Sequence, residues 1–134
     1  MLVVIDANIV LAAMINPEGA NGSLLFSPEL ELISPEFIKE ELLKYLGLVV
    51  SKTGRSELDV KLAFDLILSQ IKILSSLEYD SYRKQAEEIS PDKNDSEYFS
   101  VALASNCAFW SNDKQLKAQS VVRVLSTFDL LQLV

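Results

Sequence analysis

Apolar and polar positions follow two rhythms along this chain, and the switches between them mark its elements. Leu2-Val3-Val4-Ile5 is a short β-branched run closed by Asp6, which predicts a buried strand. Asn8 to Ile15 is apolar on nearly every side, as a helix covered by neighbours should be, and Asn16-Pro17-Glu18-Gly19 stops it. Leu30 to Ile33 reads as a second strand. Ser34-Pro35 then supplies an N-cap and a first-turn proline for a helix predicted to reach about Ser51, ahead of the Lys52-Thr53-Gly54-Arg55 loop. Ser56 with Asp59 resembles a capping box for a helix over Glu57 to Ser69, and Ile71 to Leu74 predicts another strand.

Further along, Tyr79 to Ile89 carries Tyr82, Ala86 and Ile89 at helical spacing, and Ser90-Pro91 breaks it. A helix over Ser96 to Ser105 follows, with Asn94 and Glu97 as its expected cap. Ala108 to Trp110 is a strand, Lys114 to Ala118 a short helix, Val121 to Leu125 a strand and Thr127 to Leu131 a last helical turn. Strands alternate with helices from end to end. That order predicts right-handed βαβ units: an α/β fold, a three-layer α/β/α sandwich with a central parallel sheet of about four to five strands. With no repeat or linker in view, residues 1–134 are expected to form a single domain.

Composition narrows the chemistry. The 134 residues include 12 Lys+Arg against 19 Asp+Glu, a net charge of −7, with one cysteine and no histidine. Ser-His-Asp and Cys-His nucleophiles, histidine-ligated zinc and histidine bases are therefore excluded in one copy of the chain. The lone cysteine excludes an intrachain disulfide and points to a reducing cytosol, so a cytoplasmic location is expected. The N-terminus opens on apolar residues without a basic leader, and no apolar run approaches the ~20 residues of a membrane span. Neither a signal peptide nor a membrane association is expected. Carboxylates, amides, hydroxyls and lysines must carry any chemistry, and an acidic chain needs added positive charge to meet a polyanion.

The acids fall at suggestive places. In an open α/β sheet ligands bind beyond the carboxyl ends of the strands, near the switch in strand order. Asp6 directly follows the first strand, and Asp113 follows Ala108-Phe109-Trp110 in the run Ser111-Asn112-Asp113-Lys114. Each alone also serves as a helix cap. Glu41 lies four and three residues after Phe37 and Ile38 and four before Tyr45, so it shares an apolar helix face. Asp95 precedes Phe99 by four residues and Ala102 by seven. Inward carboxylates require a cation, a donor or a raised pKa, and a hard divalent ion answers that need economically. The bland alternative is a solvated Glu40-Glu41 face, with Asp92 and Asp95 at a helix N-terminus.

Taken in order, Asp6-Ala7-Asn8, the Glu40-Glu41-Leu42 step, Asp92-Lys93-Asn94-Asp95 leading into Tyr98-Phe99-Ser100-Val101-Ala102-Leu103-Ala104, and Ser111-Asn112-Asp113-Lys114 resemble the PIN-domain family (PilT N-terminus domain), including its VapC-like toxins. The resemblance spans essentially the whole chain. It implies a single PIN-like domain and a magnesium- or manganese-dependent endoribonuclease holding one or two ions. Asp6, Glu41, Asp95 and Asp113 would be both metal ligands and catalytic acids, with Glu40 the alternative to Glu41 and Asp92 an accessory acid. Asn8 and Ser111 match polar positions beside the acids, as turn residues also would, and Asn112 accompanies them. RNA as substrate, a small antitoxin partner and a homodimer are implied as well. Leu46-Gly47-Leu48-Val49-Val50 and the adjoining helix are candidate contact surfaces.

A divalent ion activates water near neutral pH and so removes the need for a histidine base. Two other readings stand beside this one. A catalytically weak or inactive PIN-like module would use the fold to bind a partner. More remotely, a strand-end Asp6 resembles the aspartyl nucleophile of haloacid-dehalogenase phosphatases, although that pattern has an aspartate two residues on, where this chain has Asn8.

Overall fold

The computed structural model describes all residues 1–134. Five strands form one sheet: β1 (Leu2–Ile5), β2 (Glu31–Pro35), β3 (Ile71–Leu74), β4 (Ala108–Trp110) and β5 (Val124–Leu125). Their order is β3-β2-β1-β4-β5 and every pair is parallel. The β-branched run of β1 therefore sits at the centre, where Val3, Val4 and Ile5 are fully buried. The nine helices are α1 (Ala7–Ile15), α2 (Ala20–Leu25), α3 (Phe37–Lys44), α4 (Leu46–Thr53), α5 (Glu57–Leu68), α6 (Ser76–Tyr79), α7 (Arg83–Ile89), α8 (Ser96–Ser105) and α9 (Thr127–Leu133). Helix α1 packs on α2, α3 and α4, α4 also meets α3 and α5, and α9 lies on α2. Helices α6 to α8 form a second group, in which α8 lies over β1, β2 and β4. This is the expected three-layer α/β/α sandwich. No helix is long and apolar enough to cross a membrane.

The core joins the layers through aromatic contacts. Tyr98 of α8 stacks on Phe109 of β4 with centroids 5.7 Å apart, and Phe99 meets the same ring edge-on at 5.3 Å. From β1 the chain moves to β2 on one side, and from β4 to β5 on the other. The switch in strand order thus falls between β1 and β4, whose register pairs Ile5 with Trp110. Residues 6 and 111 to 113 leave the sheet side by side at that point.

Several elements differ from expectation for identifiable reasons. Ser34-Pro35 does not open a helix: both are buried in β2, the Ser34 hydroxyl donates to the Ile5 carbonyl at 2.9 Å, and Pro35 pairs with Leu74 as the last strand residue. The helix expected to reach Ser51 in one piece is divided at Tyr45, whose N–H is shared among α3 carbonyls before α4 begins. Gly54, at φ 70°, closes α4 in a left-handed turn. The Tyr79–Ile89 helix is likewise split by a 3₁₀ turn over Asp80–Tyr82, which leaves Tyr82 exposed.

Asn94 does not cap α8, because it belongs to a 3₁₀ turn (Lys93–Asp95) that Asp92 caps instead. The last strand is shorter than Val121–Leu125 and the last helix longer than Thr127–Leu131. Helix α2 was not foreseen. Its Gly22 passes so near the Pro17 carbonyl that a Cβ would stand 2.4 Å from that oxygen.

Candidate active site

At the end of β1 the chain turns into α1, and Asp6 occupies the turn. Its Oδ1 accepts the Ile9 N–H at 3.1 Å, so it does cap α1, while the residue is only 3 % exposed. Burial pushes the carboxyl up from 3.8 to about 6; hydrogen bonds from Ile9 and the buried Ser111 oppose the rise, and the charges of Glu41 and Asp113 add to it. Asp113, just past β4, is exposed and accepts the Gln115 N–H at 3.0 Å. Its own N–H donates to the Ser111 hydroxyl oxygen at 3.2 Å. Ser111 thus stands between the two strand-end aspartates.

Glu41 is carried on α3 and Asp95 on the turn before α8, both partly buried. The Tyr98 hydroxyl donates to Glu41 Oε1 and accepts the Ala7 N–H at 3.3 Å, so one oxygen joins α8, α3 and α1. Burial raises the Glu41 carboxyl; Tyr98 and Lys44 draw it back, and Glu97 raises it further. Asp95 is pushed up to about 7, first by burial and then by the charges of Asp6, Asp92, Glu41 and Asp113. The charges of all three other expected acids therefore bear on Asp95.

A cleft of ≈ 370 Å³ gathers them. Asn8, Glu40, Glu41, Asp92, Asn94, Asp95 and Asp113 line it, together with Phe37, Lys44 and Tyr45. Asp6 and Ser111 are buried, outside this lining. Both glutamates reach the cleft, but Glu40 is exposed and Glu41 is tethered by Tyr98. Asn112 is engaged elsewhere: its amide donates to Thr127 Oγ1 at 2.9 Å and accepts the Thr127 N–H at 2.7 Å, fixing the start of α9.

Two members of the site went unread in the sequence. Lys44 is the sole cation in the lining and stands 5.5 Å from the Tyr45 ring centre. Tyr98 enters the sequence reading only as the first residue of the run to Ala104, with no role of its own. Each lies three residues beyond an acid on a helix or its entry, Glu41 and Asp95 respectively, and that spacing was the available signal.

The donor set is all oxygen and carboxylate-rich, which suits a hard divalent ion such as magnesium or manganese in kind. It is not drawn up as a finished ligand set: no group of three or more Asp, Glu or Cys side chains is arranged to hold a metal ion.

The sequence matches the PIN domain over residues 4–127. The chain belongs to the PIN domain family. Two solved structures share its fold. One is PAE2754 from Pyrobaculum aerophilum, at 20% identity and a TM-score of 0.70, covering 98% of this chain and 88% of that one. The other is VapBC2 from Rickettsia felis, bound to a DNA fragment from their promoter, at 19% identity and a TM-score of 0.66, covering 94% of this chain and 98% of that one. None of the curated proteins matches the sequence. At these identities the two structures speak to the fold alone, and they place this PIN domain among chains of nearly its own length.

Proposed function

We propose that this PIN domain is a magnesium- or manganese-dependent endoribonuclease that hydrolyses phosphodiester bonds, with Asp6, Glu41, Asp95 and Asp113 as ligands and catalytic acids. The observation that carries this reading is the convergence of acids from three chain segments on one cleft at the strand-order switch, with Asp6 buried beside it at the end of β1. An ion bound there would supply a Lewis acid and activated water. The chain's own part is positional. Ile9 and Ser111 hold the Asp6 carboxylate, Tyr98 aims Glu41, and the Gln115 N–H fixes Asp113.

One specific observation favours a second reading, and it does so more directly. With no group of three acids set to hold a metal, the structure as it stands suits a weak or inactive PIN-like module kept for binding a partner. Incubating the chain with RNA in magnesium or manganese, with and without chelator, decides between the two. The nuclease reading expects cleavage that chelator abolishes and that D6N loses while still folding, since Asn also caps helices. Undiminished cleavage by D6N removes Asp6 from the catalytic site, and no cleavage of any RNA with metal present leaves the binding module.

The fold shared with VapBC2 of Rickettsia felis supports a protein partner of the antitoxin kind, and the net charge of −7 favours a basic one. A homodimer is supported by Leu58, Leu62 and Leu66, which stand at four-residue spacing on α5 and are 66%, 57% and 62% exposed. Leu48 on α4 is also exposed, whereas Val49 is core. Light scattering should give twice the chain mass for the parent and one chain mass for L62E; a monomeric parent removes the dimer from the proposal.

A further inference from the structure

Beside the acid cleft lies a second hollow of ≈ 320 Å³, lined in part by Lys114, Lys117, Ser126 and Phe128, and the two share Asp113 as a wall. Their chemistry is opposite. Lys117 is held by Asp129 at 2.6 Å, but Lys114 takes part in no ion pair. Phe128 is 70% exposed on a rigid support, between a Thr127 pinned by Asn112 and a capping box of Ser126 with Asp129. An exposed ring next to a free ammonium group is the pairing that accepts a base and a phosphate together.

The topology strengthens this. Lys114 and Phe128 follow β4 and β5, on one side of β1, while Lys44 and Tyr45 follow β2 on the other. The acids beyond β1 are thus bracketed by two lysine–aromatic pairs, an arrangement suited to a single strand crossing the cleft. A protein partner would require a broader apolar centre than one ring between lysines.

We infer that the Lys114–Phe128 hollow is a nucleotide subsite for single-stranded RNA, stacking a base on Phe128 and placing a phosphate at Lys114. It rests on the ribonuclease reading for what happens next door, although binding here does not require cleavage. Duplex RNA is disfavoured because its bases are not free to stack on the ring.

Fluorescence anisotropy with a short labelled oligouridylate, at low salt and in chelator, tests the subsite in the intact chain. F128A should bind about tenfold more weakly and F128W as well as the parent, given the usual strength of base–aromatic stacking. K114A should weaken binding and flatten the slope of log affinity against log salt by about 0.7, as loss of one single-strand phosphate contact requires. A duplex of the same length should bind less tightly than the single strand. The inference is overturned if F128A binds like the parent, if the duplex binds equally well, or if no form binds RNA. Phe128-dependent binding in a chain that cleaves nothing would retain the subsite and remove the nuclease. Chelator-sensitive cleavage with parental KM and affinity in F128A would do the reverse.

Discussion

Asp6 serves two requirements that act oppositely on its charge. As cap of α1 it accepts an N–H and is best ionised, while burial and the neighbouring acids favour its protonated form. Asp95 meets only influences that raise it, with no hydrogen bond to oppose them, and reaches the higher value, about 7. Both folded values exceed the ordinary 3.8, so between about pH 4 and 7 the folded chain retains protons that the unfolded chain has released. The resulting stability is fully present below the ordinary aspartate range and is lost as pH rises through about 6 to 7. D95N in chelator should therefore be more stable than the parent near pH 8, by roughly 1–2 kcal/mol once solvent screening at this partly exposed group is allowed for, and equal to it near pH 4. Thermal melts across that range check it; a D95N chain that melts below the parent at high pH removes the repulsion argument. The strand-end position of Asp6 and Asp113 was legible because a β-branched or aromatic run followed by Asp is a local pattern. The coupling of Asp95 to the other acids was only inferable, since it is a fact about distances between segments.

At the scale of elements, the site depends on helices meeting at one hydroxyl. Tyr98 reaches from α8 to Glu41 on α3, 57 positions away in the chain, and to the first N–H of α1. No periodicity within α8 announces such a bridge, so the sequence showed a buried aromatic and concealed its polar end. Y98F keeps the stacking on Phe109 but removes both hydrogen bonds. It should cost roughly 1–3 kcal/mol in unfolding free energy, through the lost bonds and the unpartnered Ala7 N–H. It should also raise the Glu41 carboxyl further, because the Tyr98 bond is the larger of the two influences, with Lys44, that draw it down. Denaturant unfolding and a pH titration of the Glu41 carboxyl signal by NMR measure the two effects. An unchanged midpoint together with an unchanged titration would show that the bridge carries no weight. The elements that sequence misread share a cause: strand pairing overrode the helix-start signal of Ser34-Pro35, and packing divided two helices whose periodicity ran on unbroken. Local propensity proposes boundaries, and tertiary contacts move them.

For the molecule as a whole, the acidity that first counted against a nucleic-acid enzyme is unevenly placed. Part of the −7 is concentrated at the strand-order switch, where it stores repulsion, and lysine–aromatic pairs flank it on either side of β1. The alternation of strands and helices was enough to foretell the sandwich and the end of the sheet where the acids belong. Whether those acids form a metal centre is a question of a few ångströms that no pattern encodes, and the structure leaves them short of a closed ligand set. The repulsion itself supplies a test independent of cleavage. A ligand that binds the folded chain alone stabilises it by mass action, roughly 2.7 kcal/mol at a hundred times its dissociation constant. Magnesium or manganese should therefore raise Tm near pH 8, where the acids are ionised, and much less near pH 5, where protons compete for the same oxygens. D6N and D95N should each blunt the rise, whereas a change at an acid outside the cleft, such as E57Q, should leave it intact. Equal rises in parent, D6N and D95N would mean that the ions act elsewhere on an acidic surface. A Tm that does not respond to either ion would identify this PIN domain as a binding module whose acids repel without a purpose in catalysis.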